Sequence, residues 1–197
     1  PSQTAGPYVH IGLAPGAAGF DIYARELDGR IAGPDTPGER IRIEGRILDG
    51  TGAEVRDALI EVWQADGAGI YPHAEDPRHG AAAPGFRGWG RFITDFETGL
   101  WTIDTIRPGR VAWRDGRLMA PHLSLWIVAR GINTGLHTRV YFDDEAEANA
   151  ADPVLNLIEL TRRRETLIAR RLRHGDDVCF RFDIRLQGDD ESVFFDI

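Results

Sequence analysis

The chain has 197 residues, of which 42% are hydrophobic and 27% charged, and its formal net charge is −8. This composition is typical of a soluble globular protein, and no apolar run of about 18 residues is present that would indicate a membrane span. The net negative charge argues against nucleic acid as a partner, because phosphate neutralisation needs a concentrated basic face. Cys179 is the only cysteine, so no disulfide can form within the chain and a cytoplasmic location is expected.

Residues 1–39 are predicted to form an N-terminal arm and loop. Thr4, Gly6, Pro7 and Tyr8 combine a turn former, a glycine, a proline of fixed φ and an amphipathic aromatic. Local chemistry alone favours an arm packed on the surface. The alternative is an arm that lines a site, since Gly6 and Pro7 let backbone approach a ligand closely. A short helical turn is expected near Tyr23–Leu27.

Hydrophobic alternation predicts an all-β fold with a β-sandwich core. Residues 40–48 alternate between isoleucines on one face and charged side chains on the other, which is typical of a half-buried strand. The long loop at 65–90 is of a kind that is usually functional or disordered. About eight strands with turn signals between them, and no βαβ alternation, favour a sandwich within one domain spanning 1–197. The other predicted strands are Ala58–Gln64, Gly90–Asp95, Leu100–Ile106, His122–Ala129, His137–Phe142, Phe180–Leu186 and Ser192–Ile197.

A helical insertion is expected at about residues 143–172. The acidic start of residues 143–151 suits a helix N-terminus. Thr161 is predicted to be the N-cap of a second helix that runs to about Leu172. The dense arginines at 162–173 are interpreted as the solvated face of that helix.

The stretch Met119–Arg130 carries the first chemical signal. It reads as a buried strand, on which His122 and Ser124 share one face. A second histidine at position 124 would complete a metal-binding pair, so only half of such a pair is present. His122 alone is more often a core histidine than a ligand. Arg130, just before Gly131, suits bidentate binding of a carboxylate, and an exposed strand-end arginine is an equal alternative.

Several stretches carry a family resemblance: TAGPYVHIG (4–12), LIEVWQAD (59–66), MAPH (119–122), HTRVYFDDEAEAN (137–149) and RFDIRLQG (181–188). The chain resembles the intradiol ring-cleaving dioxygenases, and within them the α subunits of the heteromeric members that cleave protocatechuate. The resemblance implies a β-sandwich. It also implies a non-haem Fe(III) that is held by two tyrosinates and two histidines of a homologous β chain rather than by this chain. The implied reaction inserts both atoms of O₂ between the two hydroxylated carbons of the substrate.

The resemblance also implies that this chain has lost its own metal site. Tyr71 matches the first iron tyrosine of the family, and Val111 replaces the second. His122 matches the first iron histidine, and Ser124 replaces the second, while Met119 stands where iron-bearing chains carry an arginine. Two of four ligands are missing, so no metal and no catalytic residue is expected in this chain, and the four positions are interpreted as vestigial.

By the same resemblance, this chain lines the partner's substrate pocket. Thr4, Gly6, Pro7 and Tyr8 are implied to reach the β chain's site, and Arg130 to lie near the substrate carboxylate. This reverses the preference for a merely surface-packed arm. The implied assembly is a set of αβ units in a larger oligomer.

Two other functions stay open. One is a self-sufficient catechol-type dioxygenase in which His73 or His79 completes an altered metal site. The other is a non-catalytic β-sandwich carrier or interaction module.

Overall fold

The structure is a computed structural model that describes residues 4–24, 27–174 and 177–196. Within those ranges, no helix combines the length and the apolarity that crossing a bilayer requires. The strands are β1 (Arg40–Leu48), β2 (Leu59–Trp63), β3 (Trp89–Ile93), β4 (Leu100–Ile106), β5 (Leu123–Val128), β6 (Leu136–Phe142), β7 (Ile168–His174), β8 (Asp177–Arg181) and β9 (Ile184–Arg185). The helices are α1 (Val9–Leu13), α2 (Ala146–Ala151) and α3 (Thr161–Glu165), with 3₁₀ turns at Pro15–Ala18, His79–Ala81 and Leu155–Leu157.

The strands form a nearly closed sheet in the order β3-β2-β5-β6-β7-β8-β1-β4, and β9 pairs with β1. Most neighbours pair over five or more residues, but β6 and β7 are joined by only two parallel pairs, Tyr141 with Ile168 and Phe142 with Ala169. This short seam separates two four-stranded halves that face each other. The predicted all-β fold with a β-sandwich core is confirmed.

The core lies between the two halves and follows the alternation of the strands. On β1, Ile41, Ile43 and Ile47 are 3%, 0% and 0% exposed, while the charged residues between them face outward. Burying each isoleucine stabilises the fold by about 1.5–3 kcal/mol. The bounds of β1 and β4 match the prediction, and those of β2, β3, β5 and β6 differ from it by one or two residues.

The predicted helix from Thr161 to Leu172 is wrong over most of its length. Helix α3 ends at Glu165, and β7 begins at Ile168. The residue before α3, Leu160, is its N-cap, and it makes no side-chain capping bond. The backbone from residue 168 onward pairs with both β6 and β8, and these tertiary hydrogen bonds outweigh the helix propensity of a short segment.

Three smaller predictions also differ from the structure. The lead segment contains helix α1, which begins where the Tyr8 carbonyl accepts hydrogen bonds from the two N–H groups of residues 11 and 12. Residues 23, 24 and 27 are not helical, and the rest of the turn predicted there lies outside the described residues. Within the described residues 192–196, the predicted closing strand is reduced to one bridge between Phe195 and His137, and the Val193 N–H donates to the Thr166 hydroxyl instead of to a strand.

One buried carboxylate joins the α2 region to the start of β5. Asp152 is 0% exposed, and its Oδ2 accepts the Ala120 N–H at 2.7 Å. Its Oδ1 accepts the N–H groups of Val154 and Leu155 at 2.7 and 2.8 Å. Three charge-assisted bonds therefore hold the chain just before His122.

We expect Asp152→Asn to lower the free energy of unfolding by about 2–3 kcal/mol, because an amide cannot accept on both sides and turns a donor toward a buried N–H. Urea unfolding followed by circular dichroism measures the change. The matched control is Asp189→Asn, at an exposed position, which should shift stability by less than about 0.5 kcal/mol. Equal stability of the two variants would contradict this role of Asp152.

Candidate functional site

The N-terminal arm is bonded to the turn that follows Arg130. The Ala5 N–H donates to the Ile132 carbonyl at 3.0 Å, and the Gly131 N–H donates to the Ala5 carbonyl at 3.1 Å. The Thr4 hydroxyl bonds the side chain of Asn133. Gly131 has φ +83°, a conformation that favours glycine and turns the chain out of the sheet. The arm and Arg130, distant in sequence, therefore lie side by side.

The arm and Arg130 border an open cleft of about 830 Å³. Pro7, Tyr8 and Arg130 line it, together with Asp57 and His10. Tyr8 is 75% exposed. Of the five residues predicted to bind substrate, three line the cleft; Thr4 and Gly6 belong to the same arm but do not line it.

Arg130 is fixed at one side and open on the other. Its Nε and Nη2 both lie 2.5 Å from Asp57 Oδ2. The Asp57 side chain is only 9% exposed, whereas that of Arg130 is 61% exposed. Asp57 thus orients the guanidinium and neutralises part of its charge, while the outer N–H groups face solvent and suit a carboxylate or another planar anion.

His10 is a cleft residue that the sequence patterns did not indicate. It lies in helix α1, is 6% exposed, and packs against Phe96 with ring centroids 5.1 Å apart. Its Nδ1 is buried without a hydrogen-bond partner among the described residues. Neither His10 nor Asp57 carries a local motif, because both depend on a contact between distant segments.

Two of the four positions interpreted as vestigial, Val111 and Tyr71, lie at one hydrophobic cluster. Val111 is 5% exposed and packs in a cluster with Met119, and Tyr71 packs against that cluster. The Tyr71 ring stacks on Trp63, with centroids 5.7 Å apart and 14° between the planes. Burial raises the pKa of Tyr71.

His122 is buried beside the Ala120 carbonyl and the ring of Tyr141. It is 4% exposed, and its Nδ1 lies 2.8 Å from the Ala120 carbonyl, which can only accept, so Nδ1 carries the proton. Its ring lies 5.5 Å from the ring of Tyr141. Burial, and secondarily the charge of Arg139, lowers the pKa of His122 to about 4.

Ser124 lies between Trp63 of β2 and Arg139 of β6 in the sheet register. Arg139 donates from Nη1 to the Tyr141 hydroxyl at 3.2 Å and lies 3.3 Å from the Met119 sulfur. An isopropyl group at 111, a hydroxyl at 124 and an adjacent guanidinium do not fit the donor set of a ferric ion, which favours anionic and imidazole donors. An arginine on a strand face without an acidic cross-strand partner is the sequence signal for this feature.

The two alternative ligands, His73 and His79, lie in the loop between β2 and β3. The His73 ring contacts Trp63 edge-on at 5.7 Å between centroids, and its side chain is exposed. His79 is exposed, and its Nδ1 lies 2.9 Å from the Asp76 carbonyl. Across residues 4–24, 27–174 and 177–196, no group of three or more His, Cys, Asp or Glu side chains is placed to hold a metal ion.

Comparison with known proteins decides the family. A family model described as "Dioxygenase" matches residues 23–188. The chain is 53% identical over its whole length to the protocatechuate 3,4-dioxygenase alpha chain of Pseudomonas putida, covering 95% of that protein. It is 45% identical over its whole length to the alpha chain of Burkholderia cepacia, covering 96% of that protein.

The chain belongs to the intradiol dioxygenase family. Within this family it is a subunit of the alpha-chain type. The Burkholderia cepacia protocatechuate 3,4-dioxygenase beta chain is a more distant relative, 35% identical over 79% of this chain and 67% of that one. The family is one of non-haem iron enzymes.

Solved structures confirm the fold. The dioxygenase domain of a carbohydrate-binding fusion protein from Streptomyces sp. SirexAA-E has a TM-score of 0.56 at 21% identity, over 98% of both chains. Catechol 1,2-dioxygenase from Acinetobacter sp. ADP1 has a TM-score of 0.59 at 22% identity, over 79% of this chain and 55% of that one. Because both identities are low, they support the architecture alone.

The lowered pKa of His122 predicts a loss of stability in mild acid. The unfolded imidazole, with a pKa of about 6.5, binds a proton more readily than the folded one, so the free energy of unfolding falls as pH drops from about 6.5 to about 4. His122→Asn keeps a donor for the Ala120 carbonyl and removes the titration. We expect the slope for the native chain to exceed that of H122N by up to about 1.4 kcal/mol per pH unit. Urea unfolding at stepped pH measures it, and parallel slopes would contradict the burial of a neutral His122.

Proposed function

We propose that this chain is the non-metal subunit of a heteromeric protocatechuate 3,4-dioxygenase and forms one wall of the substrate pocket of an iron-bearing β chain. The observation that carries the proposal is the meeting of Pro7, Tyr8 and Arg130 at one open cleft, in a chain that resembles alpha chains along its whole length. The reaction proposed for the complex is O₂-dependent cleavage of 3,4-dihydroxybenzoate to 3-carboxy-cis,cis-muconate.

The proposed role of Arg130 follows from its geometry. The buried carboxylate of Asp57 fixes one edge of the guanidinium, and the exposed edge is left for the carboxylate of an aromatic acid. A charge-assisted contact of this kind places the ring in one orientation. This chain would thereby bind and orient the substrate, while the partner's Fe(III) supplies the chemistry that activates the catechol towards O₂.

The surface beside the arm supports a protein partner. Four large apolar side chains there are exposed by half or more: Phe20 50%, Ile22 61%, Tyr23 51% and Leu27 51%. A concentration of exposed apolar side chains is typical of an interaction surface. A Cβ added at Gly6 would meet nothing within 4 Å of this chain, so the packing of this chain alone does not require glycine there. Close approach of a β chain would account for it.

Three further expectations accompany this proposal. Residues 1–197 are taken as one domain, with an arm and loop at 1–39 and the core at 40–197. A reducing, cytoplasmic location is proposed because the single thiol, Cys179, is free and buried. The αβ units are proposed to assemble into a larger oligomer.

Arg130→Ala is expected to raise the KM for protocatechuate in the reconstituted complex by about ten- to a hundredfold, because a charge-assisted carboxylate contact contributes about 1.5–3 kcal/mol. Steady-state O₂ consumption measures it. The increase in KM should vanish when the substrate is a catechol without a carboxylate. That substrate dependence separates lost recognition from lost folding.

The matched control is Arg117→Ala, which removes an arginine of similar exposure, 62%, that pairs with Asp115 at 2.7 Å and lies outside the cleft lining. Its KM should equal that of the unmodified complex. An unchanged KM in R130A would favour the non-catalytic carrier function instead.

Separation of the two chains provides a second test. The visible tyrosinate-to-iron absorption and the iron measured by elemental analysis should both stay with the β chain. This chain carries a valine at 111 and a serine at 124 in place of the tyrosine and histidine ligands, so its iron content should be negligible after loading. Stoichiometric iron in this chain, or turnover by this chain alone, would favour the self-sufficient dioxygenase.

A further inference from the structure

Arg139 is a charged residue beside the vestigial positions, and no function described so far uses it. It lies on β6, directly across the sheet from Ser124. Its Nη1 donates to the Tyr141 hydroxyl at 3.2 Å and lies 3.3 Å from the Met119 sulfur. Its guanidinium carbon lies 5.8 Å from the centroid of the Phe195 ring.

These contacts are all with uncharged groups. Among the described residues, no carboxylate lies within 4 Å of Arg139, whereas Arg130 and Arg107 each form an ion pair. The nearest acid in its network is Asp152, which Tyr141 reaches at 3.5 Å. Arg139 therefore places a positive charge without a direct counter-charge in a half-buried, mostly apolar setting, where the charge is weakly screened.

The same contacts surround all four vestigial positions. Met119 and Phe195 belong to the cluster that contains Val111 and packs against Tyr71. Tyr141 lies against the ring of His122, and Ser124 is the direct cross-strand neighbour of Arg139. The guanidinium therefore lies beside Ser124 and contacts residues that pack against the other three positions.

We propose that the Arg139 guanidinium takes the place of a metal cation in this chain and excludes a second cation from it. The proposal builds on the assignment of Val111 and Ser124 as former ligand positions. The missing ligands and the positive charge of Arg139 both prevent metal binding in this chain. A guanidinium with a neutral thioether and phenol as partners repels a divalent or trivalent ion at short range. Restoring a ligand should therefore fail to restore metal binding while Arg139 remains.

The test restores one ligand with the smallest change. Ser124→His recreates a histidine pair with His122, whose Nε2 is left as an acceptor because Nδ1 carries the proton. The full chain with S124H is titrated with Co²⁺ and followed by visible absorption and calorimetry. We expect S124H/R139Q to bind Co²⁺ at least about tenfold more tightly than S124H alone.

Two controls separate charge from packing. S124H/R139K keeps a positive charge and should bind as weakly as S124H. S124H/R170Q removes an exposed arginine of β7 and should also bind Co²⁺ weakly. Near-UV circular dichroism verifies that each variant is folded, and R139M, which matches its neighbour Met119, replaces R139Q if the glutamine variant unfolds.

Three results would overturn the proposal. These are Co²⁺ binding by S124H as tight as that by S124H/R139Q, equal binding by the lysine and glutamine variants, and no binding by a folded S124H/R139Q chain. Each of these results would leave the proposed function standing, whereas iron found in the unmodified chain after subunit separation would contradict both proposals, so the two failures are distinguishable.

Discussion

The placement of β5 between β2 and β6 is the constraint on which both candidate regions depend. Its register pairs Ser124 with Trp63 on one side and with Arg139 on the other. Because strand side chains alternate, a slip of one residue would turn His122 and Ser124 into the core and Leu123 and Leu125 out of it. Leu123 and Leu125 are 0% and 1% exposed, so their burial fixes the register.

Two arginines lie near the two ends of β5, in opposite settings. Beyond the C-terminal end, Arg130 is exposed and paired with a buried carboxylate, so its outer edge is available to an anion. Near the N-terminal end, Arg139 of the neighbouring strand points among a thioether, a phenol and an aromatic ring. An exposed, oriented guanidinium suits recognition, whereas a half-buried one without a direct counter-charge excludes other cations. The residues around the positions interpreted as vestigial form a packed cluster, and Arg130, just beyond the end of the same strand, lines a cleft.

The arm gains its place from backbone bonds rather than from its own helix. Helix α1 has five residues, too few to be stable alone. The bonds of Ala5 to Gly131 and Ile132 join it to the turn after Arg130. Exposed Tyr8 and the apolar residues at 20–27 lie on the side where a second chain would find contact area. The proposed recognition by Arg130 and the proposed docking of a partner therefore both depend on the bonds between the arm and this turn.

The amino-acid sequence by itself determined the strands with clean alternation, since the isoleucines of β1 and the leucines of β5 leave only one face to bury. The family resemblance identified the four ligand positions Tyr71, Val111, His122 and Ser124. It also indicated that Val111 and Ser124 lack the ligand groups of the family. Tertiary structure decided that residues 168–174 are a strand and not a helix, because β6 and β8 offer backbone partners that local propensity does not register. It also decided the meeting of Arg130 with Asp57 and Pro7, and of Arg139 with Met119. Such contacts join segments far apart in the chain, and their free energy depends on burial and distance, which no local pattern of residues records.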